Sequence, residues 1–142
     1  MPYYDEILEF EPNLDGSDLR IGIVMSRFNI DIGEGLLGAC TTELKRNGVL
    51  DSNVLIATVP GALEIPLTLK RMAMSYQYDA LIALGAVIRG ETSHDQHINR
   101  AVSMALMQLS LDYKKPVALG LLTVNSLEQA IQRAGGNMGN KG

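Results

Sequence analysis

A chain of 142 residues, 46% apolar and 20% charged, is long enough for one domain with a real core. Its net charge of −4 excludes a basic footprint for nucleic acid or anionic lipid, and no apolar run approaches the roughly 20 residues of a membrane span. Met1-Pro2-Tyr3-Tyr4-Asp5-Glu6 lacks the basic and apolar regions of a signal peptide, and Cys40, the one cysteine, leaves no internal disulfide, so the expected compartment is the cytoplasm.

Residues 1–18 are acidic and aromatic, with Tyr3, Tyr4 and Phe10, and read as an arm rather than a core element. An alternation follows. Residues 19–25 (LRIGIVM) form a short β-rich run. Residues 31–47 carry Ile32, Leu36, Leu37, Cys40 and Leu44 near helical spacing and stop at Asn47-Gly48. Cys40 therefore reads as a small buried apolar residue. Residues 54–59 (VLIATV) are the next strand, and 63–74 the next helix, with Leu63, Leu67, Lys70 and Met74 stacked about every turn. Residues 80–88 and 95–111 repeat the pattern, as do 117–123 and 127–133. Residues 134–142 (AGGNMGNKG) are glycine-rich and read as a loop. Strands alternating with helices imply parallel pairing through right-handed crossovers. Strands apolar on both faces imply helices above and below. The expected fold is a three-layer α/β/α sandwich, flavodoxin-like, around a central four-stranded parallel sheet.

In such a sheet ligands collect beyond the C-terminal ends of the strands. Four segments fall there. Ser26-Arg27-Phe28-Asn29 offers an aromatic ring between polar neighbours, a core plug or a platform for a flat heterocycle. Pro60-Gly61 marks a tight turn before Ala62, Leu63 and Glu64. Glu64 falls in a first helical turn, where it complements the dipole or accepts from ligand hydroxyls. The third segment is the richest: the run 85–99 passes from a buried strand through Arg89-Gly90 to a helix start near Ser93. It gathers backbone N–H groups, the Thr92 and Ser93 hydroxyls and His94 at one corner, where an anion can be held and a proton moved. Ser93 and Gln96 match a capping box, which makes His94 the first helical residue. A helix N-terminus disfavours an imidazolium, and a neutral imidazole can take a proton and return it. His94, His97, Asp95 and Glu91 lack a third metal ligand at convincing spacing, so no metal is expected. The fourth segment, Thr123-Val124-Asn125-Ser126, leads to Arg133, which serves the dipole of its own helix or an anion. The glycine-rich tail does not match a Walker A loop, because Lys141 lies between Asn140 and Gly142.

Four motifs in this order resemble the 6,7-dimethyl-8-ribityllumazine synthase family. They are Arg27-Phe28-Asn29, the run 59–66 (VPGALEIP), the run 85–94 (GAVIRGETSH) and the ending Arg133-Ala134-Gly135 with Gly139-Asn140-Lys141-Gly142. The resemblance runs from about residue 19 to the last. It implies condensation of 5-amino-6-(D-ribitylamino)uracil with 3,4-dihydroxy-2-butanone 4-phosphate, without metal or organic cofactor. Phe28 would stack on the pyrimidine ring, and Asn29 would bind substrate beside it. Ala62, Leu63 and Glu64 would hold the ribityl chain. Ala86, Val87 and Ile88 would meet the uracil through backbone groups. Glu91 and Thr92 would cradle the phosphate with Arg133, and His94 would transfer protons. The resemblance also implies a homopentamer, or an icosahedral shell of sixty subunits, with active sites between neighbours and the arm added to the adjacent sheet. A position that is usually aromatic and reaches in from the neighbour matches Leu119, and a basic tail residue is replaced by Asn137. The family continues past Asn140-Lys141-Gly142 into a further C-terminal helix that 19–142 lacks. Two other readings of the same residues are an assembling but inactive paralogue and a flavodoxin-like module that binds flavin or phosphate without chemistry.

Overall fold

The computed structural model describes residues 6–142. Four strands, β1 (Ile21–Ser26), β2 (Val54–Val59), β3 (Ala80–Ile88) and β4 (Val117–Val124), form one parallel sheet in the order β2-β1-β3-β4. The helices are α1 (Ile30–Arg46), α2 (Ile65–Met74), α3 (His94–Tyr113) and α4 (Leu127–Arg133). A 3-10 turn, Ala62–Glu64, leads into α2. The expected sandwich is therefore the observed one.

Its two cores follow from the period of two along each strand. Ile21, Ile23 and Met25 face α1 and α4 and pack with Ile32, Leu36 and Ala130. Val24, on the alternate side, joins Ile65, Leu69, Val102 and Leu106 of α2 and α3. Along β3 the same alternation sends Leu81, Ala83 and Val87 to the α2–α3 side and Leu84 and Ala86 to the α1–α4 side. The helices cover the middle strands best. The edge strands leave apolar side chains in water, Leu55 and Ile56 on β2 and Leu119 on β4, so burial on both faces does not extend to the edges.

The chain winds from β1 to β2 on one side and then to β3 on the other. Helices α1 and α3, which follow the neighbouring strands β1 and β3, therefore leave toward opposite faces, which opens a crevice at the C-terminal ends of those strands. The strands are also unequal. Pairing of β1 with β3 ends at Met25 and Leu84, whereas β3 stays paired with β4 through Ile88 and Val124. The last turn of β3 thus projects beyond its β1 neighbour.

Three expectations change. Residues 134–140 are not an open loop: β5 (Ala134–Gly136) and β6 (Gly139–Asn140) pair antiparallel, with Gly135 and Gly139 at φ 114° and 72°. Glycines that read as loop composition here permit a tight hairpin. Lys141 N–H donates to Arg133 O at 2.7 Å, and Asn140 Nδ2 donates to Gly35 O at 3.2 Å, tying the hairpin to α4 and α1. Ser93 does not cap α3 with its side chain. Its backbone, at φ −81° and ψ 14°, is already turned in rather than extended as at a capping residue, and Thr92 Oγ1 accepts the His94 N–H at 3.3 Å instead. Strand β1 extends to Ser26, a polar residue that is fully buried. The expected arm, 1–18, is described only from residue 6: residues 6–15 are exposed and without regular structure, and Gly16 N–H donates to Asn47 O at 2.7 Å. Cys40 is half-buried, and that burial pushes its thiol above the ordinary range, in keeping with an apolar role.

Ser26 sits over Gly85, where a Cβ would collide with its Oγ and come within 3.0 Å of Leu121 Cδ1. Gly85→Ala is expected to cost about 1–3 kcal/mol, read as a lower urea midpoint, through overpacking beneath the crevice. An unchanged midpoint would show that the two strands spread there without cost.

Candidate active site

The crevice holds a cavity of about 370 Å³. Each wall comes from a different strand end. After β1, the chain is held on both sides: Arg27 N–H donates to Val59 O at 2.7 Å and Phe28 N–H to Pro60 O at 3.1 Å. These bonds present the Phe28 ring, 72% exposed, over the cavity mouth. An exposed aromatic fixed by its backbone is a ready stacking surface. The core-plug reading of Phe28 falls with that exposure.

After β2, Gly61, Ala62, Leu63 and Glu64 form the second wall. Glu64 Oε2 accepts the Gly61 N–H at 3.1 Å, which fixes the carboxylate at the cavity edge. That bond leaves the other oxygen to accept from a ligand. The third wall is the projecting tip of β3, Ala86, Val87 and Ile88, followed by Gly90, Thr92 and His94. Beyond Leu84 the tip has no β1 partner, and strand ends of this kind in such sheets commonly meet ligands. Thr92 stands at the start of α3, where N–H groups and the helix dipole favour an anion.

The structure thus brings together Phe28, Ala62, Leu63, Glu64, Ala86, Val87, Ile88, Thr92 and His94. It does not bring Asn29, Glu91, Leu119 or Arg133 to the same cavity within one chain. Asn29 lines a neighbouring hollow with Arg27, Ile30 and Ile131 and donates from Nδ2 to Ala86 O at 3.2 Å. Leu119 lines a separate cavity with Cys40 and Asn140. Arg133 Nη1 donates to Gln129 O at 3.3 Å, in its own helix.

Two further residues line the cavity, Asp95 and Ile98. Ile98 lies one turn after His94 on the same face of α3, so helical spacing from His94 is the signal that finds it. Asp95 Oδ1 is buried and has no hydrogen-bond partner among the described residues. Among those residues no cluster of three or more His, Cys, Asp or Glu side chains is placed to hold a metal ion, and no helix is long and apolar enough to cross a membrane.

The cavity gathers an exposed aromatic ring, a carboxylate, the backbone of a strand tip and an imidazole. The sequence model of the 6,7-dimethyl-8-ribityllumazine synthase family matches residues 18–142. A 6,7-dimethyl-8-ribityllumazine synthase of Nitrosomonas europaea is 55% identical over 133 residues, which are 94% of this chain and 81% of that protein. The enzyme of the same name from Nitrosospira multiformis is 56% identical, covering 94% of this chain and 83% of the relative. The one from Azoarcus sp. is 53% identical, covering 94% and 85%.

Proposed function

The chain belongs to the 6,7-dimethyl-8-ribityllumazine synthase family, and from that premise we propose how its residues divide the work. The protein is a transferase of riboflavin biosynthesis. It condenses 5-amino-6-(D-ribitylamino)uracil with 3,4-dihydroxy-2-butanone 4-phosphate to give the lumazine, inorganic phosphate and water. The observation that carries the site assignment is the shared cavity of Phe28, Glu64 and His94 at the sheet's switch point.

The substrate amine attacks the ketone carbon and the adduct loses water to an imine. Phosphate then leaves with the electrons of its C–O bond as a neighbouring carbon gives up a proton. The enol left behind takes a proton at its terminal carbon and becomes a ketone, the ribityl nitrogen closes the ring on that new carbonyl, and a second water departs. Every step moves protons between two bound partners, so holding them together supplies much of the rate. Phe28 stacks on the pyrimidine, and the backbone of Ala86, Val87 and Ile88 reads its amide edge. Glu64, with Ala62 and Leu63, takes the ribityl hydroxyls. Thr92 and Glu91 hold the phosphate through backbone N–H groups, with Arg133 as its guanidinium partner. His94 carries protons between the amine, the imine and the leaving phosphate.

In this reading Arg133 and Leu119 serve the cavity of an adjacent subunit. What supports it is that both lie away from the cavity of their own chain, while apolar side chains remain in water on β2, on α3 (Met104, Met107, Leu111) and in the arm (Leu8, Phe10). A homopentamer with head-to-tail contacts, alone or packed into a shell of sixty subunits, would cover such surface and repeat one composite site at each contact. The arm would add to the free edge of a neighbour's β2. The protein would work in the cytoplasm.

Mixing both substrates with the purified protein is expected to give lumazine absorbance and fluorescence; a flat trace would contradict the assigned reaction. His94→Ala is expected to lower kcat about tenfold to a hundredfold while activity persists, as befits a proton carrier in a site that works largely by positioning. A near-total loss, as after deletion of a covalent nucleophile, would refute that division. Arg133→Ala is expected to raise KM for the sugar phosphate about tenfold or more and leave KM for the pyrimidine unchanged. An equal rise in both would remove Arg133 from the phosphate.

A further inference from the structure

Asn29 sits beside the cavity without lining it. Its backbone is left-handed, φ 60° and ψ 51°, a conformation that Asn tolerates better than most non-glycine residues. It occupies the capping position of α1, yet its side chain makes no cap bond. The amide reaches across the crevice instead, from Nδ2 to Ala86 O at 3.2 Å.

That carbonyl lies past the last β1–β3 pair, Met25 with Leu84. A side-chain amide therefore stands where β1 would have continued, and it satisfies an acceptor the departing strand left open. Phe28 is the residue just before. Its own N–H is held by Pro60 O, beyond β2. The ring is thus slung between two anchors, one on the β2 turn and one on the tip of β3. The Asn29 bond is the only one of the two that fixes the distance from the ring's backbone to the Ala86–Ile88 edge.

We propose that Asn29 is a positioning residue: it sets the gap between the Phe28 ring and the β3 tip, and so the affinity for the flat pyrimidine, without touching that substrate. This rests on Phe28 being the stacking surface, as assigned above. A gap set by one hydrogen bond is sensitive, since displacements near 1 Å at such a site have large kinetic consequences.

Two variants keep the backbone and remove the bond. Asn29→Gly adopts positive φ freely, and Asn29→Asp tolerates it at nearly the same size but cannot donate. For both, KM and the calorimetric Kd for the ribitylaminouracil are expected to rise about tenfold, with KM for the sugar phosphate unchanged and kcat within about threefold. In a Phe28→Ala background, Asn29→Gly is expected to change pyrimidine affinity by less than about twofold, because the ring through which it acts is gone. Losses that multiply in the double variant would overturn the proposal, since they mean an independent contact. Equal rises in both KM values with a lower Tm would overturn it in favour of a purely structural role. Unchanged pyrimidine affinity in the single variants would remove any role. If the unsubstituted protein bound no ribitylaminouracil, the functional assignment would fail first, and the positioning role with it.

Discussion

The structure depends on one inequality of length. Strand β3 runs past the end of its β1 pairing, and its tip stays attached to the sheet only through β4. A strand whose one side is abandoned must find other partners for its backbone or offer them to a ligand. Here both happen. The Asn29 amide takes the Ala86 carbonyl, and the rest of the tip forms one wall of the cavity. The sheet order makes this the place where the helices part, so the exposed tip and the crevice coincide.

The stiffness behind that tip comes from its other end. Leu81, Ala83 and Leu84 are buried on alternate faces, and Ser26 is tucked over Gly85, where no other residue leaves room for it. The hydroxyl of Ser26 is buried without a partner among the described residues, a cost accepted at the point where β1 must stop. The carboxylate of Glu64 and the hydroxyl of Thr92 each accept a backbone N–H at a helix start, so both groups are held before any substrate arrives. A bimolecular condensation gains most from such fixed partners.

Local patterns made the sheet legible. Ala80–Ile88 reads to the residue, because an unbroken apolar run is a local signal, and α4 matches 127–133, where Ser126 Oγ accepts the Gln129 N–H at 3.2 Å. Other features were not local. Ser26 is polar, and only the glycine across the sheet explains its place in a strand. Glycines at 135, 136 and 139 suggested a loop where hydrogen bonds to Gln132 and Arg133 make a hairpin. The capping motif at Ser93 had the right letters, but the backbone there is already turned in. Of the candidate site residues, those on contiguous strand-end segments met in one cavity, while Leu119 and Arg133 lie too far along the fold for sequence order to bring them there. Asn29 could be placed at the edge by sequence, but its bond to Ala86, 57 positions away, could not.

The proposed site is shared between chains, with Phe28 and His94 given by one subunit and Arg133 by the next. Hybrid oligomers test it most directly. Co-expressing a Phe28→Ala/His94→Ala chain with an Arg133→Ala chain in equal amounts should restore about a quarter of the intact sites in a head-to-tail ring. Such hybrids are expected to turn over limiting sugar phosphate well above the mean of the two parent variants. Activity equal to that mean would place all three side chains in the site of a single subunit and contradict the shared site.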